Sequence, residues 1–179
     1  MGQLTLVVGG VRSGKSRLAE QLAAACPPVV YLATAQAGDA EMTERIRLHR
    51  QRRPAAWTTV EEPRDVAETV ARLARSEGGA GCILVECLPL WLTNLLVGLP
   101  GQDAREDGAI LQEVQALAEA GRAAVGQVIV VSNEVGCGIM PVNALARRFG
   151  DLLGEANQRL AAAATAVYAS VAGIPLRIK

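Results

Sequence analysis

Apolar and polar positions along the chain switch repeatedly between two periods. LTLVV (4–8), VVYLAT (29–34), CILVE (82–86) and VIVVS (128–132) are short, β-branched and apolar at nearly every position, the pattern of strands buried on both faces. Between them run Ala-, Leu-, Glu- and Arg-rich segments with helical spacing, at about 15–26, 40–53, 64–76, 89–98, 105–124 and 143–164. The alternation predicts an α/β fold with a mostly parallel sheet flanked by helices. AVYASVAGIPLRIK predicts two further strands meeting at Ala172 and Gly173, a hairpin closing one edge of the sheet. GLPGQDARED (98–107) predicts a long exposed loop. Neither a repeat nor a linker interrupts the 179 residues, so a single domain is expected.

Composition narrows the partners. Only 3% of residues are aromatic, so the core has to be built from Ala, Leu and Val. Lys plus Arg and Asp plus Glu balance at 18 each, so no overall field draws the chain to nucleic acid or an anionic membrane, and any cationic function must be local. No apolar run approaches the ~18 residues of a membrane span, and MGQLTLVV carries no basic leader. A cytoplasmic location is the expectation. Cys26, Cys82, Cys87 and Cys137 show no C-x-x-C spacing and, with a single histidine, offer no zinc quartet. They read as reduced, mostly buried thiols.

Directly after the first predicted strand comes GGVRSGKS, Gly9, Gly10, Val11, Arg12, Ser13, Gly14, Lys15 and Ser16, which fits G-x-x-x-x-G-K-[ST] and leads into the helical SRLAEQLAAA. Strand, glycine-rich loop and helix are the context this motif needs. Its glycines let backbone N–H groups curl around a phosphate at a helix N-terminus. Lys15 adds a compact charge at the β and γ phosphates, and Ser16 is the expected Mg²⁺ ligand. Apart from Lys15 and Lys179, arginine fills every basic position, so a lysine has been kept where a small ammonium is required. The fold class is therefore P-loop NTPase-like.

In such sheets ligands sit beyond the carboxyl ends of the strands. The residues there are polar: Thr34, Glu86, and Ser132, Asn133 and Glu134. Glu86 stands where a P-loop protein keeps an acidic residue for Mg²⁺. Glu134 is a weaker candidate for a metal- or water-positioning group, because polar strand ends are common without a ligand.

The lone histidine, His49, lies in RIRLHRQRRPAAW (45–57) among Arg45, Arg47, Arg50, Arg52 and Arg53. Neighbouring cations disfavour imidazolium, so the ring is expected to stay neutral with a nucleophilic lone pair. The guanidiniums can grip phosphate oxygens in bidentate fashion. Attack by histidine at phosphorus is one use of that arrangement. A solvated basic helix face with an incidental histidine is the other.

GGVRSGKS, YLATA (31–35), RIRLHRQRRPAAWTTVEEP (45–63), CLPLWLTNLL (87–96), SNEVGCGIMP (132–141), LARRFGDLLGEANQRLA (145–161) and AGIPLRIK (172–179) together resemble the bifunctional adenosylcobinamide kinase/adenosylcobinamide-phosphate guanylyltransferase family of cobalamin nucleotide-loop assembly. The resemblance runs end to end. It implies two reactions: phosphorylation of the aminopropanol hydroxyl of adenosylcobinamide by a nucleoside triphosphate, ATP or GTP, then transfer of GMP from GTP onto the new phosphate through a guanylylated histidine. The family's R-I-x-x-H motif falls on Arg45, Ile46 and His49, so His49 inherits that role.

By the same carry-over Gly9 to Ser16 hold phosphates, and Ala33, Thr34, Ala35, Arg50, Gln51, Arg52, Arg53, Glu61 and Glu86 are expected around GTP. Either Glu61 or Glu86 could accept hydrogen bonds from guanine N1 and N2, so Glu86 is claimed both as metal ligand and as base reader. The resemblance also implies a trimer. Pro89, Gly150 and Glu155 depart from its pattern, which bears on corrinoid or subunit contacts. Arg147, Arg148, Asp151, Asn157 and Gln158 are open between substrate, interface and a polar helix face. Trp57 and Trp91 are read as core, although a corrin face would suit either.

Two rivals stand beside this reading. One is a plain P-loop kinase with His49 incidental. The other is a nucleotide-gated nucleic-acid module using Arg45 to Arg53, disfavoured by zero net charge and scarce aromatics. Because phosphoryl transfer and guanylylation attack different phosphorus atoms, the segment carrying His49 is expected to move, or the nucleotide to rebind, between them.

Overall fold

The computed structural model describes residues 2–36, 43–44, 47, 50–51, 53–75 and 79–179. In chain order the elements are β1 (Gln3–Gly9), α1 (Lys15–Ala24), β2 (Val29–Ala33), β3 (Thr58–Glu61), α2 (Val66–Arg75), β4 (Cys82–Glu86), α3 (Leu88–Val97), α4 (Asp107–Ala123), β5 (Gln127–Val131), α5 (Ala144–Ala163), β6 (Ala166–Val171) and β7 (Ile174–Arg177). They form one sheet in the order β3-β2-β4-β5-β1-β6-β7, parallel except for the β6–β7 hairpin.

The strands alternate as a two-sided sheet requires. Leu4, Leu6, Leu32, Ile83, Val85, Val128 and Val130 enter the core under α2 to α5, where Trp91 is fully buried. Val7, Val29, Tyr31, Cys82, Leu84, Ile129 and Val131 face the opposite way, onto Ala19 and Ala23 of α1. Among the described residues, α1 and the half-buried Trp57 pack on that second face.

Three outcomes differ from expectation. β3 carries no apolar signal: it is an edge strand whose residues are exposed but for the half-buried Val60. Thr34 lies just past β2 rather than inside it. Of the cysteines, Cys82 is buried, Cys26 and Cys87 are partly so, and Cys137 is exposed on the loop after β5. Of the segment expected to be helical at 40–53, Thr43, Glu44, Arg47, Arg50 and Gln51 are helical. The hairpin turns on Ala172 and Gly173, both at positive φ. Stretch 98–107 is largely exposed and braced by Arg105 N–H donating to the Leu95 carbonyl at 2.8 Å. Among the described residues no helix is long and apolar enough to cross a membrane.

Candidate active site

Parallel pairing carries the ends of β1, β2, β3, β4 and β5 to one edge of the sheet, and the P-loop leaves β1 there. The loop is held from the far side by the hairpin. The Ser13 carbonyl accepts Ser170 Oγ at 2.6 Å and Gly173 N–H at 2.9 Å. Gly14 takes φ +93°, and a Cβ there would lie 3.1 Å from Gly173 Cα. At Gly9 a Cβ would come within 2.6 Å of the Ser170 carbonyl oxygen. Both glycines are thus required by close backbone approach, whereas Gly10 faces open space. Val11 and Arg12 are exposed. Ser13 Oγ is buried without a hydrogen-bond partner among the described residues.

Lys15 Nζ donates to the Gly10 carbonyl at 3.2 Å. Burial lowers its pKa, opposed by Cys87 and Glu86 nearby. Ser16 Oγ donates to Glu86 Oε1. The Glu86 second oxygen accepts the Tyr31 phenol at 3.0 Å. The two predicted metal ligands therefore meet, although β4 and β1 are separated by β5.

Tyr31 is a residue the sequence reading passed over, since in VVYLAT it looks like one more core position. Register explains its reach. Tyr31 pairs with Leu84 on one side and Thr59 on the other, so Glu86, two along from Leu84, shares its face and lies within diagonal range of a long side chain. On that face the Arg53 guanidinium stacks over the Tyr31 ring, 3.4 Å from its centroid, and Arg53 Nη1 donates to Thr59 Oγ1 at 3.3 Å. Arg50 pairs with Glu61. Together with Pro54, Ala55 and Trp57 these residues line an open cleft of about 370 Å³.

Other expected residues divide differently. Thr34 is buried, and its hydroxyl accepts the Cys87 N–H at 2.7 Å and donates to the Cys87 carbonyl at 2.9 Å. Its side chain is therefore a clip between strand ends, and the backbone here is engaged too: Thr34 N–H donates to the Glu86 carbonyl at 3.0 Å, the Thr34 carbonyl accepts Asn94 Nδ2 at 2.9 Å, and the Ala33 carbonyl accepts Glu62 N–H at 2.9 Å. Glu134 folds its carboxylate onto Gly136 N–H at 3.0 Å, while its own N–H reaches the Gly9 carbonyl at 3.3 Å. Asn157 joins Ser132 Oγ and the Asn133 carbonyl, tying α5 to the same loop. Arg147 caps the carbonyls of Pro141 and Val142, and Arg148 pairs with Asp107 at 2.6 Å. Asp151 and Gln158 are exposed on α5. Trp91 is core, its Nε1 donating to the Arg64 carbonyl at 2.7 Å. Trp57 packs half-buried against the second core face and also lines the cleft. Gln51 is exposed. His49, Arg45, Ile46 and Arg52 lie outside the described residues.

The profile of a family described as cobinamide kinase / cobinamide phosphate guanyltransferase matches residues 5–178. The bifunctional adenosylcobalamin biosynthesis protein CobP of Pseudomonas aeruginosa is 50% identical over 176 residues, 97% of this chain and 96% of that one. CobU of Salmonella typhimurium, which bears the same description, is 45% identical over 184 residues, 98% of this chain and 99% of that one. Among solved structures, a prototypical ATPase from the type III secretion system of pathogenic bacteria superposes with a TM-score of 0.54 over 94% of this chain and 51% of that one. At 17% identity that is a likeness of fold.

Proposed function

The chain belongs to the cobinamide kinase / cobinamide phosphate guanyltransferase family, and from that premise we propose that both reactions use the site between the P-loop and the Arg50–Glu61 cleft, with His49 as the guanylyl acceptor. The observation that carries the reading is the unbroken chain of contacts Ser16–Glu86–Tyr31–Arg53, which joins the P-loop to a cleft lined by Arg50, Arg53 and Glu61. In the kinase step the aminopropanol oxygen of adenosylcobinamide attacks the γ-phosphorus of ATP or GTP. The bond from that phosphorus to the bridging oxygen breaks, the nucleoside diphosphate leaves, and the hydroxyl gives up its proton. Lys15 and the P-loop amides stabilise the charge on the transferring group.

In the second reaction an imidazole nitrogen of His49 attacks the α-phosphorus of GTP and pyrophosphate leaves. A phosphate oxygen of adenosylcobinamide phosphate then displaces histidine from the guanylyl group, which frees the imidazole and completes adenosylcobinamide-GDP. Arg50, Arg52 and Arg53 serve the phosphates. Glu61 is the base reader in this scheme, because it lines the open cleft while Glu86 lies beside the P-loop serine; in that role its carboxylate exchanges its Arg50 partner for guanine N1 and N2.

The donor set fits Mg²⁺. Ser16 and Glu86 present oxygens side by side, and among the described residues no cluster of three acidic, histidine or cysteine side chains could hold a metal. Such a site suits a hard cation that completes its shell with phosphate oxygens and water. When bound, the ion would offset charge on the β and γ oxygens. The trimer that the resemblance implies and a cytoplasmic location remain part of the same proposal.

GTP labelled at two positions tests the scheme. Label in the γ-phosphate should pass to adenosylcobinamide. Label in the α-phosphate should first stay with the protein in an acid-labile, base-stable bond and then appear in the corrinoid product. Transfer of the γ label with no protein-bound α label would leave a plain P-loop kinase.

A further inference from the structure

We propose that Tyr31 is a positioning residue for both reactions: its phenol fixes the Glu86 carboxylate and its ring fixes the Arg53 guanidinium, keeping the phosphate end and the cleft end of the nucleotide site in one register. The proposal rests on the site reading given above, in which Tyr31 is a link in the chain of contacts, and assigns that link a function in catalysis.

Two separate parts of one side chain are engaged. Tyr31 is 2% exposed, rooted in a strand paired on both sides, so it is a fixed point. Its O–H donates to Glu86 Oε2 at 3.0 Å while Ser16 holds Oε1. A glutamate at a strand end has freely rotating side-chain torsions, and contacts at both oxygens select one orientation.

The ring face does a different job. Arg53 lies 3.4 Å from the ring centroid, and its Nε is buried without a hydrogen-bond partner. Among the described residues, the aromatic face and the Thr59 hydroxyl at 3.3 Å are the contacts of the guanidinium. Arg53 follows His49 by four residues. Anchoring it on Tyr31 sets the boundary from which the histidine-bearing segment departs, and it ties that boundary to the carboxylate beside the P-loop.

Tyr31→Phe separates the two roles, because it keeps the ring and removes the hydroxyl. The expected result is metal-free GTP affinity, measured by calorimetry in chelator, within about twofold of wild type, together with a fall in kinase kcat of roughly tenfold. That fall should vanish when Glu86→Gln is already present, since the phenol acts through the carboxylate. Arg53→Met should weaken metal-free GTP binding roughly tenfold, and adding Tyr31→Leu to it should weaken binding no further.

An unchanged kcat in Tyr31→Phe, or a loss that adds in full to that of Glu86→Gln, would overturn the proposal. If Tyr31→Leu does not fold, the Tyr31→Phe and Glu86→Gln cycle decides alone. A wild-type protein that neither binds GTP nor phosphorylates adenosylcobinamide would instead refute the site reading, a result distinct from failure of the Tyr31 role.

Discussion

Replacing His49 by alanine is expected to abolish guanylyl transfer while phosphorylation of adenosylcobinamide stays within about threefold of wild type. Loss of a covalent nucleophile removes an entire reaction path, and such losses reach the order of 10⁴-fold or more in kcat. The kinase step needs no group from residue 49, because the acceptor hydroxyl attacks the γ-phosphorus directly and the P-loop supplies the charge stabilisation. Assaying the two steps separately, with adenosylcobinamide phosphate given directly for the second, checks the split. Equal loss of both steps would mean that His49 shapes the nucleotide site in general.

Lys15→Ala should have the opposite profile, lowering both steps together by roughly 10²–10³-fold in kcat/KM. The ammonium donates to the Gly10 carbonyl at 3.2 Å, with Glu86 nearby. Lys15→Arg should rescue little of the loss, since a planar, five-donor guanidinium is larger and directs its hydrogen bonds differently. Steady-state kinetics of both steps for the two variants provide the test. A kinase that works normally with alanine at position 15 would remove the P-loop from the mechanism.

Much of this architecture was legible in the sequence because burial leaves a strong pattern. β1, β2, β4 and β5 are interior strands, apolar on both faces, and each was predicted to within a residue at either end. β3 was not, because an edge strand with exposed threonines and a glutamate has no hydrophobic signature. The P-loop was legible for a different reason: backbone geometry at Gly9 and Gly14 leaves no space for a side chain, so chemistry and sterics select the same residues.

The contacts that complete the site depend on strand order. Sequence proximity does not reveal that β4 lies two strands from β1, that β2 and β3 continue the same sheet, or that Tyr31 thereby lies between Glu86 and Arg53. One signal was available, namely a tyrosine in phase with Thr59 and Glu86 once register is known. The same order separates the two glutamates that the sequence left equivalent. Glu86 falls beside Ser16, and Glu61 falls in the cleft. Thr34 shows the converse, since a polar residue at a strand end that looks like a ligand group spends its hydroxyl on the Cys87 backbone.

Everything in the guanylyl half of this scheme depends on histidine forming a bond to the α-phosphorus. Intact mass of the wild-type protein after incubation with GTP and Mg²⁺, without a corrinoid acceptor, tests it most directly. The account predicts an increase of one GMP per chain, carried by the peptide containing His49 and lost once adenosylcobinamide phosphate is added. An unchanged mass in a preparation that still converts adenosylcobinamide phosphate to adenosylcobinamide-GDP would contradict it.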